Sequence, residues 1–344
     1  MRLQLHTLAL PLGWGDRSFQ QPFLAQRSLG RRQGWPRAHL STGPHCRHQG
    51  SPLGSHPGNH NAPGAHDSFH VAFTTARETI TKLAKQKRHK QQAWSRLGPL
   101  IDLALRYQSE NTSSKSPWNV ADVGTDHGLL AFGLAVTNCF DNVTGVELSE
   151  KALQEGALAT LFRLQQLQVP IPQNLGFAHG DGLHGLNNRP TQVVCLAGMG
   201  VNTMERILSA NTRVDNTKLP LLDELKVQVL LTQPTNARPR NLIHLYQTVY
   251  EFGFEPREEI VVRLDGRWYV STAFVRRTQA TPDRGVNLLP QSHFPLVHVA
   301  SKDSETYRGY LSHMADWLLQ ERRQAGRLRG REDEWLDLVV ARIE

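Results

Sequence analysis

Five short apolar runs, each stopping at small or acidic residues, alternate with helical patterns and constrain this chain more than any other feature. They are NVADVG (119–124), NVTGVEL (142–148), LGFAHGDGL (175–183), TQVVCLAGMG (191–200) and KVQVLLTQP (226–234). Short runs with so few polar positions read as strands covered on both faces, the signature of a parallel sheet with helices packed on each side. Residues 127–137, 149–167, 201–209 and 239–253 carry helical spacing between them. Ser149 is placed to cap the second helix, and Ala152, Leu153, Ala157, Leu161 and Leu164 give it one apolar stripe. REEIVVRL (257–264) and RWYVSTAFV (267–275) follow, joined by Asp265-Gly266, a two-residue hairpin signal. The expected fold class is α/β: a Rossmann-like, doubly wound sheet ending in an antiparallel hairpin. A C-terminal helical extension completes it. There Tyr307, Tyr310, Leu311, Met314, Trp317 and Leu318 recur at three and four residues, and the pattern turns near Gly326 or Gly330.

Charge divides the chain differently. Of the 39 Lys and Arg and 31 Asp and Glu, residues 1–66 hold seven Arg, no Lys and a single acid, a net of +6. The other 278 residues carry 32 bases against 30 acids, so the basic character belongs to the N-terminus and says little about the partners of the folded part. An Arg-rich, acid-poor start reads as an organelle transit peptide, with a mitochondrion favoured over a plastid and a disordered, non-targeting extension as the alternative. Its seven His fall irregularly among Pro and Gly and predict no metal site. Cys46, Cys139 and Cys195 show no ligand spacing, so neither a disulfide framework nor a zinc site is expected. No apolar run reaches the roughly 18 residues of a membrane span. The domain reading is residues 1–66 as the extension, 67–93 as a basic linker or helix, 94–276 as the catalytic domain and 277–344 as the helical region. Residues 77–96, with Lys82, Lys85, Lys87, Arg88, Lys90 and Arg96, read as a basic helix.

In a doubly wound sheet the ligand lies outside the carboxyl ends of the strands. Four successive ends here are small or acidic. The first is Asp122-Val-Gly124-Thr125-Asp126-His127-Gly128, where Gly124 allows backbone to approach a ligand closely. The second is Glu147, followed by Leu148; its carboxylate can accept both hydroxyls of a ribose. The third is Asp181-Gly182, with Asp181 able to accept an adenine amino group. The fourth is Ala197-Gly198-Met199-Gly200, which leaves room for a reacting centre. Any one of these is more often a cap or a turn; four in register describe an adenosine pocket with little positive charge beside it. The first loop lacks GxGxxG spacing and carries Asp126, which suits an amino-acid tail with an ammonium better than a pyrophosphate. This favours S-adenosylmethionine over a nicotinamide cofactor.

The loop Asp122–His127, the turn Gly180-Asp181-Gly182-Leu183, the run Leu196-Ala197-Gly198-Met199-Gly200 and the triplet Thr232-Gln233-Pro234 resemble, in order and spacing, the bacterial tRNA (adenine-N1)-methyltransferases that modify adenine 22. The resemblance runs from about Trp94 to Phe274 and extends faintly into the helical tail. It implies a class I methyltransferase fold and transfer of methyl from S-adenosylmethionine to N1 of an adenine in tRNA. It further implies Asp122, Gly124, Thr125, Asp126 and His127 as the cofactor loop, Glu147 and Leu148 at the ribose, Asp181 and Gly182 beside the adenine, and Ala197, Gly198 and Met199 facing the substrate. The chain departs from the family at Val201, at Leu130 and Ala131, at Thr235 and at Val270.

N1 of adenine has an in-plane lone pair and needs no strong base, so alignment supplies much of the rate. Asp126 is the candidate for orienting the N6 amine or stabilising the cationic product. Arg238 and Arg240, just after the fifth strand, are the favoured tRNA contacts, with Lys85 and Arg88 beside them. The C-terminal Arg cluster is expected to pair with Glu321, Glu332, Asp333 and Glu334. Two other readings stand beside this one: a methyltransferase of the same fold acting on another RNA or a small molecule, and an inactive RNA-binding homologue.

Overall fold

A computed structural model describes residues 65–84, 87–110, 118–214, 217–277, 288–300 and 304–344. Seven strands form one sheet: β1 (Asn119–Val123), β2 (Asn142–Glu147), β3 (Leu175–His179), β4 (Val193–Ala197), β7 (Val229–Gln233), β8 (Phe254–Leu264) and β9 (Arg267–Arg276). Their order is β3-β2-β1-β4-β7-β9-β8. All neighbours are parallel except β9, which runs antiparallel to both β7 and β8. This is the expected doubly wound sheet with its terminal hairpin. Asp265 and Gly266 both take positive φ, 48° and 74°, as the tight turn requires. β5 (Asn211–Val214) and β6 (Thr217–Pro220) form a separate antiparallel hairpin that the apolar pattern does not reveal.

Helices cover both faces. On one lie α1 (Ala65–Leu83), α2 (Lys87–Glu110) and α3 (Leu129–Ala135), whose Ala76, Ile80, Leu100, Ile101, Leu103 and Leu134 close over Val120, Val143, Val193 and Val229. Residues 77–96 are therefore two helices rather than one. The first ends at Leu83 and the second begins at Lys87, and Ala72, Ala76, Ile80 and Leu83 are buried. An α1 whose apolar face is built into the core is a structural helix and not a solvated linker. The N-terminal extension and Lys85 lie outside the described residues, as does the side chain of Arg88.

The other face is covered by α6 (Val201–Leu208), α7 (Leu221–Glu224), α8 (Pro239–Glu251), α9 (Glu305–Ala325) and α10 (Glu332–Ile343). The last two are the expected helical hairpin: α9 ends at Gly326 with φ 72°, and Gly330 has φ 57°. They are packed onto the sheet domain. The Tyr310 hydroxyl donates to the Ala237 carbonyl at 2.6 Å, and its ring lies 5.0 Å from Trp268. The wholly buried Glu259 ties in the connecting segment: it accepts from the Tyr246 hydroxyl and from the backbone N–H groups of Leu296 (2.6 Å) and His298 (2.7 Å). Burial raises its pKa above the ordinary carboxylate range, against these hydrogen bonds, which lower it.

Between β2 and β3, α4 (Glu150–Leu153) passes through a π turn (Gln154–Leu158) into α5 (Ala159–Gln166). Ser149 caps α4 as expected, accepting from Ala152 N at 3.2 Å. The π turn lies against the first loop. A Cβ at Gly156 would stand 2.4 Å from the Asp126 carbonyl oxygen, so only glycine lets the β1–α3 loop approach the π segment this closely.

Candidate functional site

The strand order reverses between β1 and β4, which opens a crevice at their carboxyl ends. A cavity of about 200 Å3 lies there, lined by residues from all four expected strand ends: Gly124, Glu147 with Leu148, Asp181 with Gly182, and Ala197 through Met199. Gly124 and Thr125 both donate backbone N–H groups to the Val146 carbonyl, at 2.8 and 3.0 Å, which folds the first loop back over β2. Gly124 sits at φ +77°, and a Cβ there would lie 2.8 Å from Met199 Cε. The glycine therefore lets the first and fourth loops close on each other.

Each Glu147 oxygen accepts one backbone N–H, Asp126 N on Oε2 and Ser149 N on Oε1, both at 3.1 Å. A carboxylate has about four acceptor sites, so two remain for a diol. Leu148 presents an exposed apolar side chain next to it.

Asp122 does a different job from its neighbours. Its carboxylate is buried beneath the loop, accepting from Thr125 Oγ1 at 2.7 Å and Ala131 N at 3.2 Å, and it is not part of the cavity wall. Burial pushes its pKa up to about 6; the two hydrogen bonds oppose the shift and the charge of Glu147 adds to it. Thr125 is buried with it. Asp126, at φ 48°, and His127 lie outside the cavity wall. Their side chains are exposed to solvent, with His127 Nε2 3.8 Å from Asp126 Oδ2.

Two findings correct the sequence expectations. The pocket is not free of positive charge: Arg206 of α6 lines it and puts Nη1 2.9 Å from both oxygens of Asp181. Thr203, Arg206 and Ile207 all reach the cavity. Their i, i+3, i+4 spacing after the Ala197–Gly200 loop is the signal from which that helical face could have been read. Second, Arg240, expected as a free tRNA contact, is engaged within the fold although its side chain stays 43% exposed. It pairs with Glu332 at 2.8 Å and Glu321 at 3.4 Å and lies 5.9 Å from the Trp317 ring, so its guanidinium fastens α8 to the C-terminal hairpin. Hydrogen bonding to Glu332 raises its pKa still further. Arg238, at the start of α8, remains exposed, with no side-chain partner among the described residues. The expected pairing of the C-terminal Arg cluster holds for Arg331 with Glu334, at 2.7 Å.

Residues 106–270 match the profile of a methyltransferase domain. Those residues have the Rossmann-like methyltransferase fold. Solved structures of similar fold include the B. subtilis m1A22 tRNA methyltransferase TrmK, at 15% identity over 70% of this chain and 94% of that one, TM-score 0.46. Another is M. capricolum TrmK in complex with S-adenosylhomocysteine, at 15% identity, 70% and 92% coverage and TM-score 0.43. A third is a Streptococcus pneumoniae protein solved with S-adenosylmethionine, at 18% identity, 71% and 98% coverage and TM-score 0.49. No curated protein matches the sequence. No helix among the described residues is long and apolar enough to cross a membrane. No group of His, Cys, Asp and Glu among them has the geometry to hold a metal ion.

Proposed function

We propose that this chain methylates N1 of an adenine in tRNA with S-adenosylmethionine as donor, that adenine 22 is the target, and that it acts in an organelle, a mitochondrion before a plastid. One observation carries the cofactor assignment: four strand ends converge on one cavity with an anchored carboxylate, an apolar flank and an uncharged fourth loop. That donor set fits an adenosine bearing a sulfonium. The bound cofactor supplies an electrophilic methyl group.

The chain's own residues then bind and align. Glu147 takes the ribose hydroxyls with its two remaining acceptor sites, Leu148 lies against the adenine, and Asp181 accepts the N6 amine when Arg206 yields it. Ala197, Gly198 and Met199 leave space for the incoming base. That base presents its Watson–Crick edge, so it is unpaired or extruded from its helix. Asp126, exposed and with its backbone N–H on Glu147, accepts from the N6 amine of the target base. The motif resemblance supports tRNA and the position, and the Arg-rich first 66 residues support the organelle.

The engagement of Arg240 by Glu332 and Glu321 favours a second reading in one respect, because it leaves that guanidinium with less charge to offer a tRNA phosphate. In that reading the same fold methylates another RNA or a small molecule. Labelled methyl transfer to total cellular RNA, with and without RNase, separates the readings. Label in the tRNA fraction that RNase abolishes supports the proposal, and label in a small-molecule fraction that RNase leaves intact contradicts it.

A further inference from the structure

We propose that the exposed arginines at the corner between α9 and α10, Arg322, Arg323, Arg327 and Arg329, bind the phosphate backbone of the substrate RNA, an inference that rests on the RNA reading above. The sequence expectation pairs this cluster with Glu321, Glu332, Asp333 and Glu334. The fold gives those acids to other cations. Glu321 and Glu332 are taken by Arg240, at 3.4 and 2.8 Å, and Glu334 by Arg331, at 2.7 Å. Of the four acids, only Asp333, exposed on the first turn of α10, is unclaimed among the described residues. Arg322, Arg327 and Arg329 make no side-chain hydrogen bond or ion pair among the described residues, and Arg323 reaches only the Leu319 carbonyl, at 3.3 Å.

Helix physics accounts for part of this cluster. Arg322 and Arg323 lie in the last turn of α9, where the macrodipole favours cations. It does not account for Arg327 and Arg329, which stand in the turn on either side of Leu328. Leu328 is buried, and Glu332 accepts the Arg329 N–H at 2.9 Å, so the turn is held in one shape with both arginines outside. Like charges fixed this close repel one another, and a polyanion that replaces their counterions relieves that cost.

The corner stands at the rim of the crevice. Arg240 is the second residue of α8, which follows the carboxyl end of β7, and the two acids that hold it flank the corner, Glu321 before it and Glu332 after it. The Tyr310 hydroxyl ties α9 to the same segment through the Ala237 carbonyl. That segment joins the cavity wall: the Thr235 N–H donates to the Met199 carbonyl at 3.0 Å, and the Gly198 N–H to the Gln233 carbonyl at 3.0 Å. Exposed Arg238 lies between. A basic path therefore runs from the fourth loop through Arg238 to the corner, along the edge of the sheet where a target base has to enter. An extruded base brings its flanking phosphates with it, and these need cations beside the site rather than in it. An anionic membrane would meet the same charges, but continuity with the cavity wall favours the substrate.

The test measures tRNA binding by the full-length protein over a range of salt concentrations, by fluorescence anisotropy. Changing Arg322, Arg323, Arg327 and Arg329 together to Gln is expected to weaken binding roughly 10- to 100-fold at about 0.15 M salt. The slope of log affinity against log salt should flatten by about two to three. Changing the same four to Lys should restore most of the affinity, since a phosphate accepts a point charge. S-adenosylhomocysteine affinity, by calorimetry, should stay within about twofold in every variant. Thermal melting checks folding; if the fourfold Gln variant melts early, Arg327→Gln with Arg329→Gln serves, with about half the change in slope. Unchanged affinity and slope in a folded Gln variant overturns the proposal and leaves the methylation reading standing. Loss of binding to anionic phospholipid vesicles, with tRNA binding intact, overturns it in favour of a lipid surface. If the unaltered protein binds S-adenosylhomocysteine but no tRNA, the RNA reading fails, and the proposal fails with it.

Discussion

Arg206 Nη1 lies 2.9 Å from both carboxylate oxygens of Asp181, so the acid proposed to receive the adenine amine is shared with a cation that also lines the cavity. Both side chains are about half exposed, and such a pair contributes at most about 1 kcal/mol to folding. Its effect is on binding. Arg206→Ala should leave the melting temperature almost unchanged and tighten S-adenosylhomocysteine by about two- to fivefold, because Asp181 is released. Asp181→Ala should weaken it. Calorimetric titration of the two variants decides: tighter binding in Asp181→Ala would show that Asp181 does not face the adenine.

Asp122 gives a pH signature. The folded protein holds its proton up to about pH 6, whereas an ordinary Asp releases it near 3.8. The group therefore favours folding most below about pH 4, and that contribution is lost as pH rises through about 6. The difference corresponds to about 3 kcal/mol. Asp122→Asn keeps an acceptor for Thr125 and Ala131 but cannot titrate. Denaturant unfolding of both proteins from pH 4 to 7 should show the native protein losing stability relative to the variant over that window. Parallel curves would contradict the burial argument.

Gly124→Ala should be disruptive for two separate reasons: φ of +77° is strained for alanine, and its Cβ would meet Met199 Cε at 2.8 Å. A loss of about 1–2 kcal/mol in stability and of most cofactor affinity is expected. Gly124→Ala with Met199→Ala should regain part of the affinity, since the second change removes the clash and leaves only the strain. Equal binding by the single and double variants would show that the two loops do not close on each other as described.

Arg240→Ala tests the C-terminal clasp. Glu332 is almost wholly buried, and removing its partner leaves a carboxylate with only the Arg329 N–H, at 2.9 Å, as a strong donor. A loss of about 1–3 kcal/mol is expected in urea unfolding. Arg238→Ala should instead leave stability unchanged and reduce the salt dependence of tRNA binding by about one phosphate contact. The opposite pattern would return Arg240 to the RNA surface.

The two arginines show where sequence stops being informative. β1, β4 and β7 were legible because residues buried on both faces carry almost no polar side chains, and the Asp265-Gly266 turn because its backbone demands those residues. The site could be anticipated at Glu147, Asp181 and the Ala197–Met199 loop for a related reason: in this topology strand ends must converge. What remained hidden depends on distance in the chain. Glu321 and Glu332 stand 81 and 92 residues from Arg240, and Asp181 stands 25 from Arg206, so neither pairing leaves a local trace. The β5–β6 hairpin escaped because it belongs to no apolar run. The division of α1 from α2 was hidden under a continuous stretch of basic residues. Asp122 was readable as important but not as a loop anchor, since burial beneath Thr125 and Ala131 is a property of the folded loop.

The most direct test of the central claim is nucleoside mass spectrometry of tRNA incubated with the full-length protein and S-adenosylmethionine. The account predicts 1-methyladenosine in organellar or bacterial tRNA, lost in Glu147→Ala. Methylation appearing on another nucleoside, or cofactor binding with no methylated tRNA at all, would contradict it.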